Sequence, residues 1–172
     1  RPKPGEAVTW AHVGPILLQR CARCHSDNGI LGAPPEGYRL ASYENALSAA
    51  DRVRIVPGNP GASELVRRIR GLSRPRMPFD GPPWLSEENI RLVEDWVRDG
   101  ARGADGRPAP VPAGARVRFG GTLTGQWSVD GTPVVVGSDT RIDKEPKVGD
   151  RVEVRGVVQA DGSVRVTRLR RR

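Results

Sequence analysis

The sequence predicts an α + β chain of two domains: an all-α domain over residues 1–102 and a small antiparallel β-barrel over 116–172. Three observations carry this reading. Apolar residues recur with a helical period in the first part, and with a period of two in the last. Between them, Ala101 to Ala115 holds three prolines, three glycines and almost nothing to bury, so 103–115 reads as a semi-extended linker.

The helices follow in order. Thr9 to Arg23 places Val13, Ile16, Leu17 and Cys21 on one stripe. Pro15 is expected in its first turn, where a missing N–H does no harm. Ser42 is placed to cap a short helix through Ala50. Ser63 to Ile69 forms a third, with Leu65, Val66 and Ile69 on one face. Ser86 opens a fourth, and Glu87 and Glu88 suit the positive end of its dipole. Ile90, Val93 and Val97 repeat along it, joined by Trp96, and Gly100 closes it. After the linker, Val117-Arg118-Phe119-Gly120 begins an alternating run. Trp127 to Val136 predicts a hairpin turning at Asp130-Gly131. Val152–Val158 and Val164–Leu169 pair across Asp161-Gly162. Short strands joined by Gly-rich turns suggest a small barrel.

Composition narrows the function classes. Hydrophobic residues make up 37% of the 172 and aromatics 5%, a thin supply for two small cores. Such a chain suits a fold in which a bound apolar group completes the core. The two cysteines sit three apart and cannot staple distant segments. No run of about 18 apolar residues exists, so no membrane-spanning helix is expected. Arg1-Pro2-Lys3-Pro4-Gly5 reads as the loose start of a processed chain whose export signal has been removed. The net charge of +8 describes a soluble mixed-charge surface, and its sharper reading is steering toward an acidic partner. No aromatic interleaves with the terminal run Arg168-Leu169-Arg170-Arg171-Arg172 to stack bases, so no nucleic-acid partner is expected.

The strongest chemical signal is Cys21-Ala22-Arg23-Cys24-His25. Two thiols at i and i+3 on the end of a helix share a face and can add to the two vinyl groups of one haem. The next residue then offers its imidazole to the iron, and C-x-x-C-H reads as c-type haem attachment. A thioredoxin-like pair would follow a strand in a βαβ context, which this sequence lacks. A zinc site needs four ligands, and these residues supply three at most. Met77, the single methionine, lies in Arg74-Pro75-Arg76-Met77-Pro78-Phe79 and is the expected sixth iron ligand. A gap-filling core methionine is the plainer alternative. His12 sits on the attachment helix, nine residues upstream, and is set aside as a packed or surface histidine.

With these motifs in order, residues 7–102 resemble class I cytochromes c, in particular single-haem domains of exported bacterial proteins. The likeness rests on the C-x-x-C-H helix, then Gly37-Tyr38-Arg39-Leu40, then Val56-Pro57-Gly58-Asn59-Pro60-Gly61-Ala62-Ser63-Glu64-Leu65. A Met-Pro loop and a helix from Leu85-Ser86-Glu87-Glu88-Asn89-Ile90 to Gly100-Ala101 complete it. The resemblance implies a haem crevice between His25 and Met77. It also implies crossed first and last helices, with Gly14 allowing the approach and Trp96 packing over it. A proline carbonyl, from Pro34 or Pro35, would orient His25. Tyr38 and Trp84 would line the haem or reach a propionate, or simply pack. Residues 116–170 resemble small OB-like barrel modules of unassigned function, chiefly through Lys147-Val148-Gly149-Asp150-Arg151-Val152-Glu153-Val154-Arg155-Gly156. That run carries no chemistry, and an OB-like shape alone assigns none.

The expected function is one-electron transfer by one covalent haem c, between exported (periplasmic) redox partners, and not an enzymatic reaction. One alternative is a peroxidase-like or gas-binding haem enzyme in which Met77 is displaced and Arg74 or Arg76 polarises a ligand. Another is a subunit that feeds electrons into a larger oxidoreductase complex.

Overall fold

The computed structural model describes residues 1–172. Four α-helices are followed by six strands. Helix α1 (Trp10–Arg20) starts on Thr9, whose hydroxyl accepts from the Ala11 N–H at 3.2 Å. His12 reaches back to the Thr9 N–H through Nδ1 at 2.9 Å, so its ring serves the helix start. Pro15 does not lie in the first turn. It is the sixth residue of α1 and faces water. The carbonyl it cannot serve is that of Ala11, which is also exposed, so solvent can satisfy it.

Helix α2 (Tyr43–Ala46) stops four residues short of Ala50 and is capped by Ser42, whose Oγ accepts from the Asn45 N–H at 3.1 Å. Helix α3 (Glu64–Arg70) ends on Gly71 at φ +83°. Ser63 does not cap it. Its hydroxyl accepts from the Val56 N–H at 2.8 Å instead, tying the preceding loop down. Helix α4 (Glu87–Arg98) is capped by Ser86 and buries Ile90, Val93, Trp96 and Val97. Helices α1 and α4 pack together, but the ring over Gly14 is not that of Trp96. It is Trp10, one turn earlier on α1, and a Cβ on Gly14 would sit 2.8 Å from it. Trp10 in turn packs against Trp96 at 5.8 Å between ring centroids. One carbonyl, that of Arg102, accepts from both the Trp96 indole (2.9 Å) and the Trp10 backbone N–H (2.8 Å).

The second half is a six-stranded mixed sheet in the order β3-β2-β1-β5-β6-β4. Its strands are β1 (Arg116–Gly125), β2 (Ser128–Val129), β3 (Thr132–Pro133), β4 (Arg141–Asp143), β5 (Arg151–Val158) and β6 (Val164–Arg171). This corrects the antiparallel OB-like barrel expected from the sequence. The sheet is not closed, and β4 runs parallel to β6. Strands β2 and β3 are two residues each, and between β3 and β4 the chain pairs with β6 only at one isolated bridge, Val135 to Arg165, so no continuous ladder closes the sheet. The turn between them has Asp130 at φ +47° and Gly131 at φ +79°, the pair of left-handed residues that a tight two-residue hairpin requires. Along β1 and β5, Val117, Phe119, Leu123, Val152, Val154 and Val158 all face one buried layer.

The two halves form one body. The sheet's core cluster contains Val53, Val56 and Ala62 from the first half. Arg67 of α3, with its side chain 1% exposed, crosses into the sheet. It donates to the Gly61 and Gly120 carbonyls at 3.0 and 2.9 Å, to Ser73 Oγ at 3.1 Å and to the Asp130 carboxylate. Its guanidinium lies 4.7 Å over the Phe119 ring. Burial pushes the Arg67 pKa down, and Asp130 partly offsets that. Residues 103–115 contain no helix or strand, yet they are tacked down by Ala109 N–H to Gly100 O and Gly114 N–H to Val158 O, both 2.8 Å.

Candidate haem site

The end of α1 delivers the attachment motif. Cys21 closes the helix by donating its N–H to Leu17 O at 2.8 Å, and the chain then turns, with His25 N–H on Cys21 O at 2.9 Å. Cys21, Cys24 and His25 therefore line one wall of a cavity of about 390 Å³. That volume lies within the usual range of ligand pockets, about 300–1,000 Å³. Met77 also lines it, brought there by the loop after α3, where its N–H bonds Arg68 O at 3.0 Å. Both cysteines are free thiols. Burial pushes the Cys21 thiol up to about 12, so it stays protonated at neutral pH.

The His25 ring is held by a backbone carbonyl, but not by a proline's. Nδ1 lies 2.8 Å from Tyr38 O. Pro34 O and Pro35 O instead accept the N–H groups of Gly37 and Tyr38 in the tight turn at 35–37. That turn carries the chain past the histidine, so the carbonyl that reaches it comes three or four residues later than expected. With Nδ1 so engaged, Nε2 is the nitrogen left for a ligand, and the carbonyl raises its basicity.

Of the remaining expected residues, Pro35 and Tyr38 line the cavity and Pro34 does not. Tyr38 is buried and its hydroxyl donates to Ala46 O at 2.7 Å, so the ring is a wall and its hydroxyl is turned to the protein. Trp84 does not line the cavity. It is 37% exposed, with the Arg76 guanidinium 4.5 Å above its ring. His12 lies at the start of α1 and is also outside the lining.

Several lining residues were not among the expected site residues. Leu40, Leu65 and Ile69 give apolar walls, while Leu31 and Phe79 stand 61% and 71% exposed at the mouth. One edge is charged. Glu64, 4% exposed, accepts from Arg52 Nε at 2.8 Å and Arg68 Nε at 2.8 Å. Arg54 lies 4.7 Å over the Tyr38 ring and bonds Asp51 at 2.6 Å. For Leu65 and Ile69 the signal was helical period, since they share a face of α3, whereas Leu40 lies in a loop. The charged edge was legible only in its local pairs, Glu64–Arg68 and Asp51–Arg54; the bonds from Arg52 to Glu64 and Glu36 span 12 and 16 residues and had no signal.

The residues fit a haem. The cavity brings two free thiols, a histidine with one nitrogen engaged and a thioether to one apolar space, and its apolar mouth needs a cover. No three His, Cys, Asp or Glu side chains converge as a cage for a bare metal ion. The arrangement is similar to the haem site of a cytochrome c-like domain. The comparison with protein families agrees: residues 21–81, from the first thiol past Met77, match the family described as Planctomycete cytochrome C. Residues 120–170 match a family described as Domain of unknown function (DUF5666), which covers most of the sheet. No curated protein and no solved structure matches the chain. No helix is long and apolar enough to cross a membrane.

Proposed function

We propose that this chain is a single-haem c-type cytochrome that carries one electron at a time between exported redox partners. Cys21 and Cys24 would hold the haem by thioether bonds, with His25 and Met77 as axial ligands. Bound there, the haem supplies a one-electron iron couple. The observation that carries the reading is the convergence of Cys21, Cys24, His25 and Met77 on one apolar cavity. Tyr38 O fixes the His25 ring, and Arg68 O fixes the Met77 backbone. Leu40, Leu65 and Ile69 keep water from the interior, which favours the less charged iron state. With both axial positions taken by protein, no substrate position is left, so an electron carrier fits better than an enzyme. A redox partner with acidic surface suits the net charge of +8.

The test is the absorption spectrum of the purified, oxidised protein. A weak long-wavelength band from sulfur-to-ferric-iron charge transfer is expected, and Met77→Ala should abolish it while the haem stays covalently attached. A high-spin spectrum without that band would mean an open sixth position and would turn the reading toward a haem enzyme.

A further inference from the structure

A second cleft, of about 550 Å³, opens where the two halves meet. Six guanidiniums line it: Arg68 of α3, Arg74 of the next loop, Arg118 of β1, Arg151 and Arg155 of β5, and Arg172 just past β6. The only carboxylate in the lining is Glu153. Arg155 and Arg172 both lean on Glu153, at 3.0 Å each. Arg68 leans on Glu64 at 2.8 Å and Arg118 on Glu36 at 3.3 Å. Six cations against these three carboxylates leave an excess of three positive charges. Glu64 and Glu36 are moreover shared with Arg52, at 2.8 Å each. Arg151 gives one N–H to Leu72 O at 3.1 Å, and Arg74 is exposed in the loop with no carboxylate beside it. Like charges held together in a concave site repel unless an anion joins them.

We propose that this cleft binds a compact polyvalent oxyanion, of the phosphate or carboxylate class. Guanidinium forks match such groups two bonds at a time. Helix α3, the loop after it, β1, β5 and the residue just past β6 converge on a concave space, which suits a small ligand better than a flat protein face. Nucleic acid fits poorly, because the one aromatic in the lining, Phe119, is 3% exposed and has no free face for a base. None of the four haem-site residues lies in the cleft and Arg68 alone lines both cavities, so the proposal does not rest on the haem reading.

The test is calorimetric titration of the full chain, as purified, with inorganic pyrophosphate and with citrate, against sulfate at matched ionic strength. At least one of the two polyanions should bind about tenfold or more tighter than sulfate, and the tighter of them identifies the class. Arg74→Gln and Arg118→Gln should each weaken that binding about tenfold. Arg107→Gln removes the same charge from an 88% exposed side chain outside the cleft and should leave it unchanged. Binding no tighter than sulfate for both polyanions, or an equal loss in Arg107→Gln, overturns the proposal.

Discussion

The helical half and the sheet half solve the same shortage in opposite ways. Both must build a core from few aromatics. The helical half gathers 17 buried apolar residues and still leaves a cavity lined by thiols and an imidazole. The sheet half gathers 14 and completes itself, but three of them, Val53, Val56 and Ala62, come from the other half. One half leaves room for a foreign group, and the other borrows from its neighbour. A small core can therefore be finished by a ligand or by a loan: the sheet half borrows, and the proposed haem would finish the helical half.

The sharpest way to break that comparison is to remove residues 116–172. The remaining piece would expose Val53, Val56 and Ala62 and leave Arg67 without Gly120 and Asp130. We expect it to lose cooperative thermal unfolding, read by circular dichroism; a sharp, native-like transition would show that the loan runs one way only. Next in size is Arg67→Ala in the full chain. Removing one partner of a buried charge pair costs about 3–5 kcal/mol, measured by denaturant unfolding. Gly61→Ala should cost about 1–3 kcal/mol by overpacking, because a Cβ there overlaps the Thr132 hydroxyl. Thr132→Gly should recover part of that loss in the double mutant, as expected for neighbours across the seam.

The smallest effect is a pH dependence. Burial raises the Glu36 and Asp51 pKa values, but hydrogen bonds from Arg52 to Glu36 and from Arg54 to Asp51 outweigh it, and both carboxyls end below their ordinary values. A carboxyl whose folded pKa is depressed stabilises the fold above its ordinary value and loses that contribution as pH falls through the folded one. The melting temperature should thus hold near neutrality and begin to fall below pH 4.5 and 3.8, the ordinary values of the two groups. Both side chains are half exposed, so the fall should be modest and should shrink with added salt.

How far the sequence could be read depended on whether the signal was local. The helices around Val13, Leu65 and Val93 declared themselves by period, and Asp130-Gly131 by turn chemistry, because these need only neighbours in the chain. In β6, strict alternation from Val164 would bury Arg168. A bulge at Thr167 shifts the register, since Arg155 pairs with Arg168 and Gly156 with Val166, and Leu169 faces the core instead. Nothing in the alternation announces that extra residue. The attachment motif was legible because two cysteines and a histidine fall within five residues. The carbonyl that holds His25 was not, because a tight turn at 35–37 decides which oxygen arrives. The seam between halves left one trace, Gly120-Gly121 inside a strand. A Cβ on Gly121 would collide with Arg67 and Asp130, and glycine in a strand marks such close approach.

Helix α3 sends four consecutive side chains four ways. Arg67 enters the sheet, Arg68 reaches Glu64 and the Pro75 carbonyl, Ile69 fills the helical core, and Arg70 grips Glu94 and Glu87 of α4. No position along it is spare. In a library of random substitutions sorted for folded protein, residues 65–70 should therefore be the most depleted of variants. The stretch 103–115, which buries little, should be among the most permissive. Mutational tolerance in this chain is thus set by how many neighbours a turn of helix must satisfy at once.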